Sequence, residues 1–465
     1  MLHPQAQPDR DDQPLGSSRA RHLGRRKWTN RLRTLALVAA AFAGGVVSTH
    51  LADARSASET QSPYQPIDEL SRVLLLVEHN YVVPADRTKL LDGALRGMVE
   101  GLDPHSSYMD PSEYAAFQSD TEGKFGGVGV EVDLRDDVVT VIAPIEGSPA
   151  AEAGIQAGDK ILAVDGQPLR GKKMDRIVDM MRGEPGTKVH LTIGREGKDE
   201  LVELDLVRKI VRVASVEGKR LDGDIGYVRL KQFQETTHED LLKVVGALRK
   251  DEKPLRGILL DMRYNPGGLV DQAELVADEF LSSGIIYSTR HRGQILDQVS
   301  AAAGGALEDL PLVVLVNEYS ASAAELVAGA LQDHKRATIV GGVTYGKGSV
   351  QTIFELSSGG GLRLTTMRYY TPNGVAIQAN GVDPDVLIRG KKPPTIVREA
   401  DLDGHLSAES TRQPRPDQVI ADEPADAGPP LLRLSEVPVN PPSAKDFALA
   451  KAYDVLVKKL PKTDP

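Results

Sequence analysis

GILLDMRYNPGGLVDQAELVADEF (residues 257–280) reads as a buried strand, a glycine turn and a helix in succession. Its first part is continuously apolar, as a strand covered on both faces must be, and its last part has helical periodicity. The same alternation recurs around it. IGYVRLKQF begins near Asp224, and PLVVLVN (311–317) and ATIVGG (337–342) are further buried-type strands. Helical patterns at Glu239–Leu248, Leu269–Phe280 and Ala321–Gln332 separate them. Repeated strand–helix alternation predicts an α/β block with parallel strands. In the turn, Pro266-Gly267-Gly268 permits close backbone approach and outward N–H groups, which suits an oxyanion hole.

Outward from this block the pattern changes. Upstream, GVGVEVDLRDDVVTVIAPI has period two and predicts two strands around a charged turn. SPAAEAG (148–154), GDKILAVDG (158–166), a helix over Met174–Met181 and a strand over Lys188–Ile193 complete a compact module across 124–208. Before it, apolar residues at helical spacing run from Ile67 to Met98, and GLDPHSSYM (101–109) marks a turn by its Asp-Pro. Downstream, 391–442 is rich in Pro, charge and Ser and predicts mostly flexible linker, with an ordered patch at 396–406. Asp446–Leu460 is an amphipathic helix able to dock back.

Composition narrows the function. The chain has 465 residues, 40% apolar and 26% charged, ample for several cores. A net charge of −10 with only 4% aromatics argues against nucleic-acid binding. With no cysteine, thiolate metal sites, disulfides and a thiol nucleophile are excluded. Residues 1–33 concentrate eight Lys/Arg against three Asp, and TLALVAAAFAGGVVST (34–49) follows without a charge. With the small triplet Ala52-Asp53-Ala54, this has the form of an export signal over 34–54, either cleaved or kept as a single anchor.

The candidate chemistry lies in NEYSASAAELVAGALQD (317–333) and TYGKGSVQ (344–351). A serine at a helix start, Ser320 or Ser322, has free N–H groups and the positive dipole end beside it. The same position suits a plain N-cap. Lys347 is framed by glycines between two predicted strands, and a lysine becomes a base for serine only when burial lowers its pKa from about 10.4. Gly341-x4-Gly346-Lys347 imitates a phosphate loop but has Gly348 where a Ser or Thr must hold magnesium. His105 sits in a turn. His334 lies at the far end of the serine's helix, about 18 Å away at ~1.5 Å per residue, too far for a base.

Taken together and in order, these motifs resemble the C-terminal processing peptidases, or tail-specific proteases. The likeness covers about 64–390, including TPNGVAIQANGVDPDV (371–386), and resumes at VREADLDGHL and the last helix. It implies a crotonase/ClpP-like α/β protease core with parallel strands over 215–390, an inserted PDZ-like β-rich module over 119–208 and an N-terminal helical region over 64–118. A C-terminal helix over 443–465 completes it. By resemblance Ser322 is the nucleophile, Lys347 the general base and Gln351 the residue orienting the lysine. Gly268 and Ala323 supply oxyanion N–H groups, with Gly267 the alternative to Gly268. Gly127, Val128, Gly129 and Val130 hold a peptide's terminal carboxylate, and Arg182 relays occupancy toward Gln351. No cofactor or metal is implied. The expected partners are proteins with exposed C-terminal tails, with room for an adaptor and a homo-oligomer, and the expected location is periplasmic, secreted or held at the inner membrane. Met262, Tyr264 and Val343 depart from the family's usual residues without removing a catalytic atom. A catalytically inactive peptide-binding scaffold and a crotonase-like acyl-CoA enzyme are the competing readings.

Overall fold

The computed structural model describes residues 64–461, apart from 136, 146, 199, 251–252, 391–395, 410–414, 425–426, 432 and 441–444. The basic region, the 34–54 segment and most of the tether before Tyr64 lie outside the described residues. Among those described, no helix is long and apolar enough to cross a membrane.

The chain divides into two compact units, residues 1–90 and 91–465. In the first, the helix Gln65–Asn80 starts with a proline and an aspartate in its first turn, and Glu78 pairs with Arg87 at 2.5 Å. This helix exposes Ile67, Leu70, Val73, Leu75 and Leu76.

The second unit is built on a seven-stranded sheet. Ile225–Leu230, Gly257–Asp261, Leu312–Val316, Ala337–Gly341, Val386–Arg389 and Val419–Asp422 run parallel, with Val216–Leu221 antiparallel at the far edge. The side-chain alternation of a strand sorts its apolar residues into two cores. Val228, Leu230, Leu260 and Val314 face a layer of helices carrying Leu241, Val276 and Val327. Ile225, Tyr227, Leu259 and Val313 face the C-terminal helix Phe447–Lys459 through Leu449, Ala452 and Leu456. That helix does dock back. Its N-cap Asp446 accepts from Leu449 N–H and also binds Arg263, whose guanidinium grips Asp261 on its other side. All three are nearly inaccessible, so each charge needs the others to offset desolvation.

Two features differ from the sequence expectation. The 391–442 stretch, expected as mostly flexible linker, supplies the edge strand Val419–Asp422, and its Leu431, Leu434 and Val437 pack into the core beneath the C-terminal helix. Its low apolar content concealed short segments that gain burial only against a preformed sheet edge. An antiparallel sheet was also not expected. In it Gly361–Tyr370 pairs with Ser107–Met109, Ile285–His291 and Ser349–Glu355, and Gln294–Ser300 forms the outer edge.

The β-rich module folds as expected. Val130–Arg135, Val138–Pro144, Lys160–Val164, Lys188–Gly194 and Val202–Val207 form its sheet, and Met174–Met181 its helix. Val139, Ile161, Ile177, Leu191 and Ile193 make a separate core, and Lys124–Gly127 pairs with Lys209–Arg212 at the module's base.

Candidate active site

Ser320 and Ser322 separate cleanly. Ser320 is fully buried, donates to Met262 C=O at 2.9 Å and accepts from Asn317 N–H at 2.9 Å, so its hydroxyl is committed to the fold. Ser322 is half-buried and stands at the N-cap of Ala323–Asp333, where the Glu325 side chain accepts from its backbone N–H in a capping-box arrangement. Its φ of 54° with ψ of −117° is a strained backbone for a residue with a Cβ. Such strain persists where surrounding contacts over-determine it, typically at functional sites.

The glycine turn presses directly on this serine. A Cβ on Gly267 would stand 2.8 Å from Ser322 Cβ, and one on Gly268 would strike Phe233 C=O at 2.1 Å. Gly267 N–H is already donated to Asn265 Oδ1 at 2.8 Å. Around Gly268 the strand-like bonds belong to its neighbours: Phe233 N–H donates to Gly267 C=O and Leu269 N–H to Phe233 C=O. The geometry therefore favours Gly268 over Gly267 as an available donor, beside Ala323 at the first turn of the helix.

Ser322, Gly268, Lys347, Ser349, Gln351, Arg363 and Tyr369 line one cleft of about 270 Å³. Burial depresses the Lys347 ammonium's pKa, and the nearby Arg363 guanidinium lowers it further. Glu399, Glu325 and Asp103 pull the other way without cancelling the effect. The lysine's backbone is fixed on both sides, with Lys347 N–H on Glu325 and Gly348 N–H on Gln378 Oε1.

Glu325 is the residue that the sequence reading missed. It is fully buried, and its carboxylate accepts from Ser322 N–H at 2.8 Å, Gly346 N–H at 2.7 Å, Lys347 N–H at 2.8 Å and the Thr344 hydroxyl at 2.5 Å. One carboxylate thus ties the serine's backbone to the lysine's. The available signal was a lone acid inside an Ala-rich apolar helix, where a charge has no place unless it is paired.

Gln351 lines the cleft as expected, but its amide nitrogen donates to Ser349 Oγ at 3.0 Å and Thr365 Oγ1 at 3.2 Å. Gly127, Val128, Gly129 and Val130 line a different groove of about 390 Å³, together with Met174, Val178 and Met181. Arg182 also lines that groove, with its guanidinium 4.2 Å over the Phe125 ring. The structure does not bring Arg182 to Gln351, whose nitrogen is already committed elsewhere. His334 accepts no catalytic role either: its ring meets Ile285 C=O at 2.7 Å.

Comparison with known proteins adds an independent line. Residues 224–388 match the family model "Peptidase family S41", 140–195 match "PDZ domain", and 38–113 match "Activating protease CtpB N-terminal domain". The carboxy-terminal-processing protease of Bartonella bacilliformis is 42% identical over 365 residues, covering 77% of this chain and 84% of the relative. The carboxy-terminal processing protease CtpA of Bacillus subtilis is 35% identical over 335 residues, covering 71% and 70%. Among solved structures, the photosystem II D1 C-terminal processing protease is 34% identical, covering 67% of this chain and 85% of its own, at a TM-score of 0.43.

Proposed function

The chain belongs to peptidase family S41, among the carboxy-terminal processing proteases with a PDZ domain, and from that premise we propose a Ser–Lys mechanism. Ser322 Oγ attacks the scissile carbonyl while neutral Lys347 Nζ takes its proton. The N–H groups of Gly268 and Ala323 receive the oxyanion. Lys347 then gives the proton to the leaving amine, and water releases the acyl-enzyme by the same base. The observation that carries this reading is a half-buried lysine of depressed pKa sharing a cleft with a serine held in a strained backbone conformation. The sheet of six parallel strands, covered by helices on both faces, is compatible with a crotonase/ClpP-like core.

Digestion of unfolded casein by the purified full chain tests the proposal. Intact casein would favour the inactive scaffold, and tight binding of coenzyme A would favour the acyl-CoA reading. The 34–49 segment is read as delivering the chain across the inner membrane. The exposed apolar side of Gln65–Asn80, within the matched activating-protease N-terminal region, supports an adaptor or a second copy as partner.

The PDZ groove is read as the substrate's tail site, since an edge strand and a glycine loop together bind an extended C-terminus. Substrates with a free apolar C-terminus should then be cleaved several-fold faster than the same chains amidated at that end. Gly129→Phe should abolish the difference, because φ of 75° and a Cβ position 2.2 Å from Ser148 Cβ exclude any side chain there. Equal rates for acid and amide in the parent chain would remove the tail-reading role.

A further inference from the structure

The GLDPHSSYM segment reads as a simple turn, yet its side chains reach into the catalytic region. Asp103 is buried and accepts from His105 N–H at 2.9 Å, Ser106 N–H at 3.0 Å and Ser106 Oγ at 2.7 Å. It also accepts the hydroxyl of Thr365 at 3.1 Å, from a strand 262 residues away in sequence. That Thr365 Oγ1 in turn accepts from Gln351 Nε2 at 3.2 Å. Ser107–Met109 adds itself to the same strand, with Ser107 opposite Arg363, so the turn is fastened to the sheet beside the cleft.

Donor counting gives this chain a direction. A threonine hydroxyl has one hydrogen, and an ionised carboxylate only accepts. Burial opposes ionisation of Asp103, but donors from Ser106, His105 and Thr365 outweigh it and hold the carboxyl below its usual range. The Thr365 hydrogen is therefore spent on Asp103, and its oxygen only accepts, from Gln351 and from the Ser106 hydroxyl at 3.3 Å. Both hydrogens of the Gln351 amide are then used, on Thr365 and Ser349, leaving Oε1 as the group free to face the cleft.

We propose that Asp103, acting through the Thr365 hydroxyl, is a positioning residue that fixes the polarity of the Gln351 amide, so that an oxygen and not an NH2 is offered to Lys347. The inference rests on the Ser–Lys reading above. Without Asp103 the threonine could donate to Gln351, the amide could turn, and its NH2 would face a lysine that also needs an acceptor. The hydrogen bonds run from Asp103 through Thr365 to Gln351, which lines the same cleft as Lys347.

Thr365→Val keeps the side chain's shape and every bond inside the Asp103 turn except those made to the hydroxyl. It should lower kcat by roughly ten- to a hundredfold, the range for a misplaced catalytic group, with KM within about twofold of the parent. The limb on which activity rises with pH should move to lower pH, because an amide oxygen beside Nζ favours the ammonium and its loss does not. Thr365→Ser should restore both. In a double-mutant cycle, Asp103→Ala should cost little once Thr365→Val is present. Parent-like kcat in Thr365→Val would overturn the inference, as would a loss shared equally by Thr365→Ser, a loss with an unmoved limb, or fully multiplicative effects of the two variants. Failure of the underlying dyad shows separately, as cleavage surviving Ser322→Ala.

Discussion

Lys347→Ala, Lys347→Arg and Ser322→Ala are each expected to lower kcat/KM by about a thousandfold or more, the scale seen when a member of a nucleophile–base pair is removed. Arginine retains charge and length but cannot deprotonate usefully, so it separates a base from a mere cation. In the parent enzyme, activity should rise with pH as Lys347 loses its proton. Burial first, then Arg363, places that transition below the ordinary lysine range, against the pull of Glu399, Glu325 and Asp103. The same depression has a stability consequence. The unfolded chain binds a proton that the folded chain resists, so burial of Lys347 costs stability below its unfolded pKa and stops doing so as pH rises past it. Lys347→Met should therefore be inactive yet melt higher than the parent at pH 7, with the gap closing toward pH 10.5. Melting temperatures and peptide hydrolysis across pH check both statements. Appreciable turnover by Lys347→Arg would remove the lysine from its role.

The parts of the fold that could be read in advance were those whose burial is complete. GILLD, LVVLV and ATIVG are apolar but for Asp261 and Thr338 because both faces of the central sheet are covered. The antiparallel sheet escaped notice for the converse reason. Ile285–His291 carries polar Ser288 and Thr289 at buried positions, Gly361–Tyr370 carries Thr and Arg at half-buried ones, and Gln294–Ser300 is almost wholly exposed, so neither periodicity stands out. Ser322 and Lys347 stand out as candidates because their local frames are unusual: a serine before a small-residue helix, and a lysine between glycines. What supports them does not. Asp103 and Thr365 lie far apart in sequence, and the turn signal of Asp103-Pro104 explains that aspartate well enough on its own. That Arg182 lines the PDZ groove over Phe125 was not legible, because a turn at the edge of a module says nothing about which groove its side chain enters.

Glu325→Gln is expected to be the most damaging substitution outside the proposed Ser322–Lys347 pair, lowering kcat about a hundredfold by displacing the backbones of both residues at once. Four donors converge on the carboxylate, from Ser322, Gly346, Lys347 and Thr344. Glutamine replaces one acceptor oxygen with an NH2, so at least one backbone N–H faces another donor, a buried mismatch costing about 1–3 kcal/mol. Burial pushes the Glu325 carboxyl up to about 7 despite these four bonds. Because the folded value lies above the ordinary carboxyl value of 4.5, protonation favours the folded state, and this contribution is present at low pH and lost as pH rises through about 7. Glutamine has no such transition, so the stability advantage of the parent over the variant should shrink between pH 4.5 and 7. Activity follows the opposite course. Only the ionised carboxylate can accept from all four groups, so the parent's rate should show a step near pH 7 that is absent in Glu325→Gln. Thermal melts at pH 5 and pH 8, with kcat measured across the same interval, separate the two effects. Parent-like kcat in Glu325→Gln at pH 8 would show that the carboxylate merely fills space beneath the site.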